Sequence, residues 1–392
     1  MKHPLRIIIV DPQGLTPFYD QYYCTALAER GLQIDLWTRE PDFLPGYFDN
    51  RKFRIQRLAR ISKAILPGNS LVTRFLKYSE LLMLDFPRMM STAFRGDVIH
   101  VQWLSPHPIA SIELFFWKIL KLLGKPAVFT AHNVFPPGGN HTVTRHLRSI
   151  YAIFDRVILT SEYGKKLFEK HFPKFSSKAV KIPHGPFFHD KEKTSQVQAR
   201  MHLGLPASRP MVLFQGFFKA HKGVEFLLEA FPQVLVRHPD ALLLLVGGGD
   251  VAYRKKISAR LQQLLIPSNN VSARSDLLPV SELLLYYHAA DIVVFPYKDI
   301  YQSGALFTAL ALRKAVIATT VGGLPEVIKD GVNGRLVDYG DVDTLANIIN
   351  ELVEHPEKRK RFGKESYKTA TVKFSWKMIA ERSEEVYRQF VN

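Results

Sequence analysis

The chain has 392 residues, of which 46% are apolar and 23% charged, and a single cysteine, Cys24. That length exceeds one ordinary core and points to two domains of ~150–200 residues; one cysteine excludes an internal disulfide and fits a reducing compartment. The formal net charge is +17, with +12 on residues 1–195 and +5 on residues 196–392, which leaves nucleic acid, an anionic membrane surface or a phosphorylated ligand as partners for the basic first half.

In chain order, "MKHPLRIIIVD" reads as a first strand rather than a targeting segment. Apolar runs predict strands over 5–11, 32–38, 97–103, 127–133, 156–161 and 179–185, and residues 18–31 between the first two read as a helix closed by Gly31. "RKFRIQRLARISK" (51–63) carries six basic residues and no acid; Arg51, Lys52, Arg54 and Arg57 form either a solvated edge or a surface for anionic lipid. "IASIELFFWKILKLLG" (109–124) contains Glu113, Lys118 and Lys121 and is too short to span a bilayer. It reads as a buried helix, with membrane contact the alternative if its aromatics are exposed. A cytoplasmic protein is expected.

"VFTAHNVFPPGGN" (128–140) puts His132 and Asn133 at the end of a strand, before a loop too rich in glycine and proline to be core. His132 there is placed either to donate to an oxyanion or hydroxyl, or to serve structure. Residues 187–210 are polar and flanked by proline, and read as a linker. A second series of strands is predicted over 211–216, 241–249, 291–297, 315–320 and 334–338. Strands alternating with helices mean parallel sheets covered on both faces, so two doubly wound domains joined by a hinge are expected, with a ligand site in the cleft between them.

"GFFKAHKG" (216–223) lies where a strand becomes a helix. Free amides at a helix start attract phosphate oxygens, Gly216 leaves room for a ligand, and Lys219 and Lys222 supply charge; the competing reading is a surface turn with solvated lysines. Gly247 ends the strand of "LLLLVGGGD", without the full dinucleotide fingerprint. Residues 295–337 are the densest stretch. Pro296–Tyr297 end a strand, and Ser303 caps a helix that starts with Gly304 and Ala305 and runs through Thr308. Gly322, Gly323 and Pro325 then precede Glu326 at another helix start. No metal-ligand spacing appears among the 14 histidines. Residues 374–392 read as an amphipathic helix with Trp376, Ile379, Ala380 and Val386 on one stripe.

"TAHNVFPP", "KIPHG", "GFFKAHKGVEFLLEAF" and "SGALFTALALRKAVIATTVGGLPEVIKDGVNGRLV", in that order, resemble the GT-B glycosyltransferases, family 4 in particular, of the bacterial type that builds exopolysaccharides and lipid-linked glycans. The resemblance implies an N-terminal Rossmann-like acceptor domain (1–190), a C-terminal nucleotide-sugar domain (205–373), and a helix (374–392) that returns to the first. It implies sugar transfer with retention from a UDP- or GDP-sugar to a glycan or lipid-linked acceptor, with no cofactor or metal, on the inner face of a membrane. It further implies His132 and Lys222 as catalytic residues. Donor contacts would come from Gly216, Lys219, Lys222, Gly247, Tyr297, Ser303, Gly304, Ala305, Thr308, Gly323 and Glu326. Acceptor or membrane contacts would come from Gly14, Asn133, Arg51, Lys52, Arg54 and Arg57. Two departures stand out: Phe217 occupies the position of the family's phosphate-loop arginine, and Thr308 that of the second of its paired glutamates. A nucleotide-sugar epimerase of the same architecture and a basic nucleic-acid-binding protein are the alternative readings.

Overall fold

The structure is a computed structural model that describes residues 4–39, 47–48, 52–58, 71–104, 109–135, 141–188 and 194–391. The chain divides into two compact units, Met1–Pro183 together with Trp376–Asn392, and His184–Ser375.

The first unit is built on seven parallel strands: β1 (Arg6–Asp11), β2 (Gln33–Thr38), β3 (Arg54–Arg57), β4 (Val98–Val101), β5 (Ala127–Ala131), β6 (Arg156–Leu159) and β7 (Ala179–Lys181), in the order β3-β2-β1-β4-β5-β6-β7. β4 and β5 are buried along their whole length, as strands covered on both faces must be. The order runs outward from β1 in one direction and from β4 in the other, so the switch point falls between their carboxyl ends. Its described helices are α1 (Pro17–Glu29), α2 (Leu71–Glu80), α3 (Phe86–Arg95), α4 (Ile109–Leu122), α5 (His141–Ile153) and α6 (Glu162–His171), with a π-helical turn, Leu81–Asp85, joining α2 to α3. α1 closes at Gly31, whose amide donates to the Ala28 carbonyl at 2.9 Å.

The second unit opens with α7 (Gln196–His202), inside the stretch read from sequence as linker. The correction has a physical cause. Ser195 and Gln198 form a reciprocal capping box, and the polar side chains that suggested solvent are anchored instead: Arg200 is buried, pairs with Asp291 at 2.8 Å and donates to the Ala289 carbonyl at 3.0 Å. Six parallel strands follow: β8 (Met211–Gln215), β9 (Leu242–Val246), β10 (Val271–Arg274), β11 (Ile292–Phe295), β12 (Ala315–Thr319) and β13 (Arg335–Val337), in the order β10-β9-β8-β11-β12-β13. Here the switch point lies between β8 and β11. The helices are α8 (Val224–Arg237), α9 (Val251–Gln263), α10 (Val280–Ala289), α11 (Gly304–Ala311), α12 (Leu324–Val327), α13 (Val342–Glu354) and α14 (Pro356–Lys368).

The last helix, α15 (Trp376–Arg388), belongs to the first unit and packs on α1. Trp376, Ile379, Ala380 and Val386 are its buried stripe. Tyr387 adds a polar anchor: its hydroxyl lies 2.7 Å from that of Tyr23 on α1 and 2.6 Å from Nδ1 of His100 on β4, whose Nε2 meets the Thr130 hydroxyl on β5 at 2.7 Å. Burial drives the His100 imidazole down to about 3, so it sits neutral in this network.

Candidate active site

In the second unit the loops after β8 and β11 meet at the switch point. A single tight turn, Ala220–Lys222, precedes α8. Gly223 joins them with φ +62°, and a Cβ there would lie 2.0 Å from the Pro296 carbonyl oxygen; only glycine allows both that dihedral and that approach. The amides of Lys298 and Asp299 donate back to the His221 carbonyl at 2.9 and 3.3 Å. This contact sets Lys222 Nζ over the Tyr297 ring, 4.1 Å from its centre, within cation–π range. The side chain is half-buried, and among the described residues no ion pair includes it. Burial, and secondarily the charge of Lys219, draw its ammonium down to about 8.

Tyr297 is buried, and its hydroxyl lies 3.1 Å from Ser303 Oγ. Ser303 caps α11 by accepting from the Leu306 amide at 3.3 Å. The first amides of a helix have no acceptor within it, so Gly304 and Ala305 present the positive end of α11 beside Tyr297. The Tyr287 hydroxyl lies 2.7 Å from Gln215 Oε1 and 3.2 Å from the Ala305 carbonyl, tying the end of β8 to that helix start. Lys222, Gly216, Tyr297, Ser303, Gly304 and Ala305 are thereby one cluster. Gly247 supports it from below: a Cβ there would strike the Gly216 carbonyl at 2.1 Å. Thr308 is buried, and its hydroxyl donates to the Gly304 carbonyl at 2.9 Å, inside its own helix. Lys219 is exposed, 5.9 Å from the Phe217 ring centre. Gly323 caps the short α12, which carries half-buried Glu326, and its amide donates to Ile300 in the β11–α11 loop at 3.4 Å.

In the first unit the loops after β1, β4 and β5 gather at the other switch point. The Asp11 carboxylate accepts from the Gln13 and Thr16 amides at 3.3 and 3.2 Å. The loop it holds turns at Gly14, close against the Arg39 carbonyl. Burial raises the carboxyls of both Asp11 and Asp20, Asp20 further because of the Asp11 charge. Trp103 Nε1 donates to the Thr16 hydroxyl at 3.0 Å. The same indole stacks on His132, with ring centres 4.8 Å apart, while Tyr19 meets the imidazole edge-on at 4.9 Å. His132 Nε2 donates to Gln102 Oε1 at 3.1 Å. The imidazole is therefore fixed in plane and direction while half-buried, and Asn133 beside it is exposed.

Two family profiles match the chain: Glycosyltransferase Family 4 over residues 21–185, and Glycosyl transferases group 1 over residues 196–369. This chain is a family 4-like glycosyltransferase. Among relatives of this transferase, the alpha-maltose-1-phosphate synthase of Mycolicibacterium smegmatis is 28% identical over 291 residues, covering 68% of this chain and 74% of the relative. The D-inositol 3-phosphate glycosyltransferase of Thermobifida fusca is 24% identical over 362 residues, covering 86% and 80%. The fold is GT-B: sucrose-phosphate synthase from Thermosynechococcus elongatus superposes with TM-score 0.77 at 23% identity, covering 99% of each chain. Anabaena HepE in complex with UDP and glucose superposes with TM-score 0.77 at 19% identity, covering 98% of this chain and 100% of that one.

Of the basic segment, Arg54 and Arg57 are exposed on β3, the edge strand, and Lys52 pairs with Glu29; Arg51, Arg60 and Lys63 lie outside the described residues. Only Arg57, in register with Thr38 at the carboxyl end of β2, shares an end of the sheet with Gly14. Sequence reasoning missed Gln102, Trp103 and Tyr287. The first two did carry a signal, since they end the strand predicted over 97–103, where a doubly wound sheet places its ligand site. Tyr287 carried none, because a tyrosine in a helical run reads as core.

Proposed function

We propose that this glycosyltransferase moves a sugar from a UDP-sugar to a glycan or lipid-linked acceptor, with retention at the anomeric carbon. Lys222 supports the donor assignment: a half-buried ammonium, with no carboxylate partner among the described residues, stands over Tyr297, whose hydroxyl meets the Ser303 cap of α11. As the glycosidic bond to the nucleotide breaks, negative charge grows on the departing diphosphate. Positive groups already in place stabilise that charge without reorganising. In this reading Lys222 and the amides of Gly304 and Ala305 carry the charge in place of a metal ion, and the second unit holds the donor. In the same reading His132, oriented by Gln102 and Trp103, is the catalytic group that the first unit supplies. A uridine nucleotide is favoured because the structurally similar HepE is known in complexes with UDP and with UDP-glucose.

A thermal-shift panel of UDP-, GDP- and ADP-sugars tests the donor. Stabilisation by the UDP compounds alone is expected, about 2.7 kcal/mol at a hundredfold excess over Kd. Lys222→Ala should lower turnover by about 10²–10³-fold at saturating donor, the usual loss on removing one such group; unchanged turnover removes Lys222 from the phosphate site. Exhaustive chelation should leave activity intact, and its loss on chelation, restored by a divalent cation, would move the leaving-group charge to a metal.

A further inference from the structure

α3, which follows α2 and the π-helical turn, lies against α4. Phe86 stacks on Phe116 with ring centres 4.1 Å apart, and Lys125, just beyond α4, donates to the carbonyls of Phe94 and Gly96 at 2.9 and 3.0 Å. Inner-facing aromatics such as Phe86, Phe116 and Trp117 are buried, as a helix packed on a sheet requires. The outer side is not what solvent selects. Phe75 is 69% exposed, Met83 76%, Phe115 65% and Leu122 86%, with Leu84, Phe94 and Leu123 also exposed. Single exposed apolar side chains are ordinary, but a group of them on contacting helices marks an interaction surface.

Charge names the partner. The carboxylates on these helices and the π turn are Glu80, Asp85 and Glu113, and all three are buried. Arg88, Arg95, Lys118 and Lys121 are exposed; Arg88 leans on Asp85 at 4.0 Å and Lys121 pairs with Asp155. Phe115, Lys118 and Leu122 follow at i, i+3 and i+7 on one side of α4. Exposed charge of one sign interleaved with aromatic and aliphatic side chains complements an interface of anionic headgroups over acyl chains.

We infer that the exposed face of α3 and α4 docks the enzyme on an anionic lipid bilayer. The apolar side chains enter the interface, and Arg95 and Lys118 meet the headgroups. The inference deepens the lipid-linked reading of the acceptor, yet its test needs neither donor nor transfer, so either can fail while the other stands.

The purified chain is sedimented with vesicles of phosphatidylcholine, alone or mixed with phosphatidylglycerol, across a salt series. Binding to the mixed vesicles only, weakening with salt, is expected. Arg95→Glu with Lys118→Glu should reduce partitioning about tenfold or more. Phe115→Ser with Leu122→Ser should also reduce it several-fold, with Tm and donor-induced stabilisation kept in both variants. Failure to bind, equal binding to the two lipids, or binding indifferent to both pairs of substitutions overturns the inference. So does a dimer that the Phe115→Ser, Leu122→Ser variant abolishes in the absence of vesicle binding, which would give the face to a second copy of the chain.

Discussion

A lysine ammonium drawn into a half-buried site beside an aromatic ring and a second lysine is held at a disadvantage until an anion arrives. That is the situation of Lys222, and it makes a prediction about pH with a definite sign. In the free enzyme Lys222 titrates at about 8, so it is charged below that value and progressively neutral above it. Since kcat/KM reports groups of the free enzyme, it should fall as pH rises through about 8. A bound diphosphate favours the charged form, so the fall in kcat should come at higher pH. Lys222→Arg keeps the charge at every accessible pH. That variant should lose the alkaline fall in kcat/KM even where its maximum is lower, and steady-state rates between pH 6 and 10 check this. If wild type and Lys222→Arg share one profile, the titrating group lies elsewhere.

At the scale of elements, the contribution of α15 rests on a buried polar network as well as its apolar stripe. Tyr387→Phe removes the hydroxyl that His100 Nδ1 and the Tyr23 hydroxyl share, but those two lie 3.4 Å from each other and can pair directly. The cost is then that of one lost hydrogen bond, about 0.5–1.5 kcal/mol, and equilibrium unfolding at neutral pH should show a loss in that range. His100 also dictates an acid limit. Folded, it takes a proton near 3 against an ordinary 6.5. Between those values the unfolded chain binds a proton that the folded chain does not, so stability falls as pH drops from 6.5 towards 3. The central strands of both sheets were legible in the sequence, because β1, β4, β5, β8, β9, β11 and β12 are nearly continuous apolar runs. β10 was not, being a short, largely exposed edge of the second sheet whose Val-Ser-Ala-Arg has no apolar run. α7 was hidden by polar residues that turn out to be anchored. Residues 113–123 were legible by half: Phe116 and Trp117 are buried, whereas Phe115 and Leu122 are exposed. The Ser303 cap could be read locally. The meeting of Lys222 with Tyr297 could not, because it depends on β8 and β11 being neighbours in a sheet.

At the scale of the whole molecule, the two sheets repeat one plan: each winds outward from a central pair, β1 with β4 and β8 with β11, and each gathers candidate residues at the carboxyl ends of that pair and of the next strand, β5 or β12. The plan explains why ordered motifs along the chain carried more information than any one of them, since each motif is a loop that follows a strand. It also makes the last helix consequential. Trp376 is buried against α1, edge-on to Tyr19 at 5.2 Å and stacked near Tyr22 at 6.0 Å, and Tyr19 in turn abuts His132. The last helix thereby supports the imidazole site of the first unit. Trp376→Ala removes a large buried ring, which typically costs 3–5 kcal/mol. Calorimetry should resolve that loss as a lowered transition of the first unit, with limited proteolysis cutting first in 1–183. UDP should still raise the transition of the second unit by the wild-type amount, while turnover falls because Tyr19 no longer braces His132. Equal destabilisation of both units, or loss of UDP stabilisation, would show instead that the helix supports the donor site.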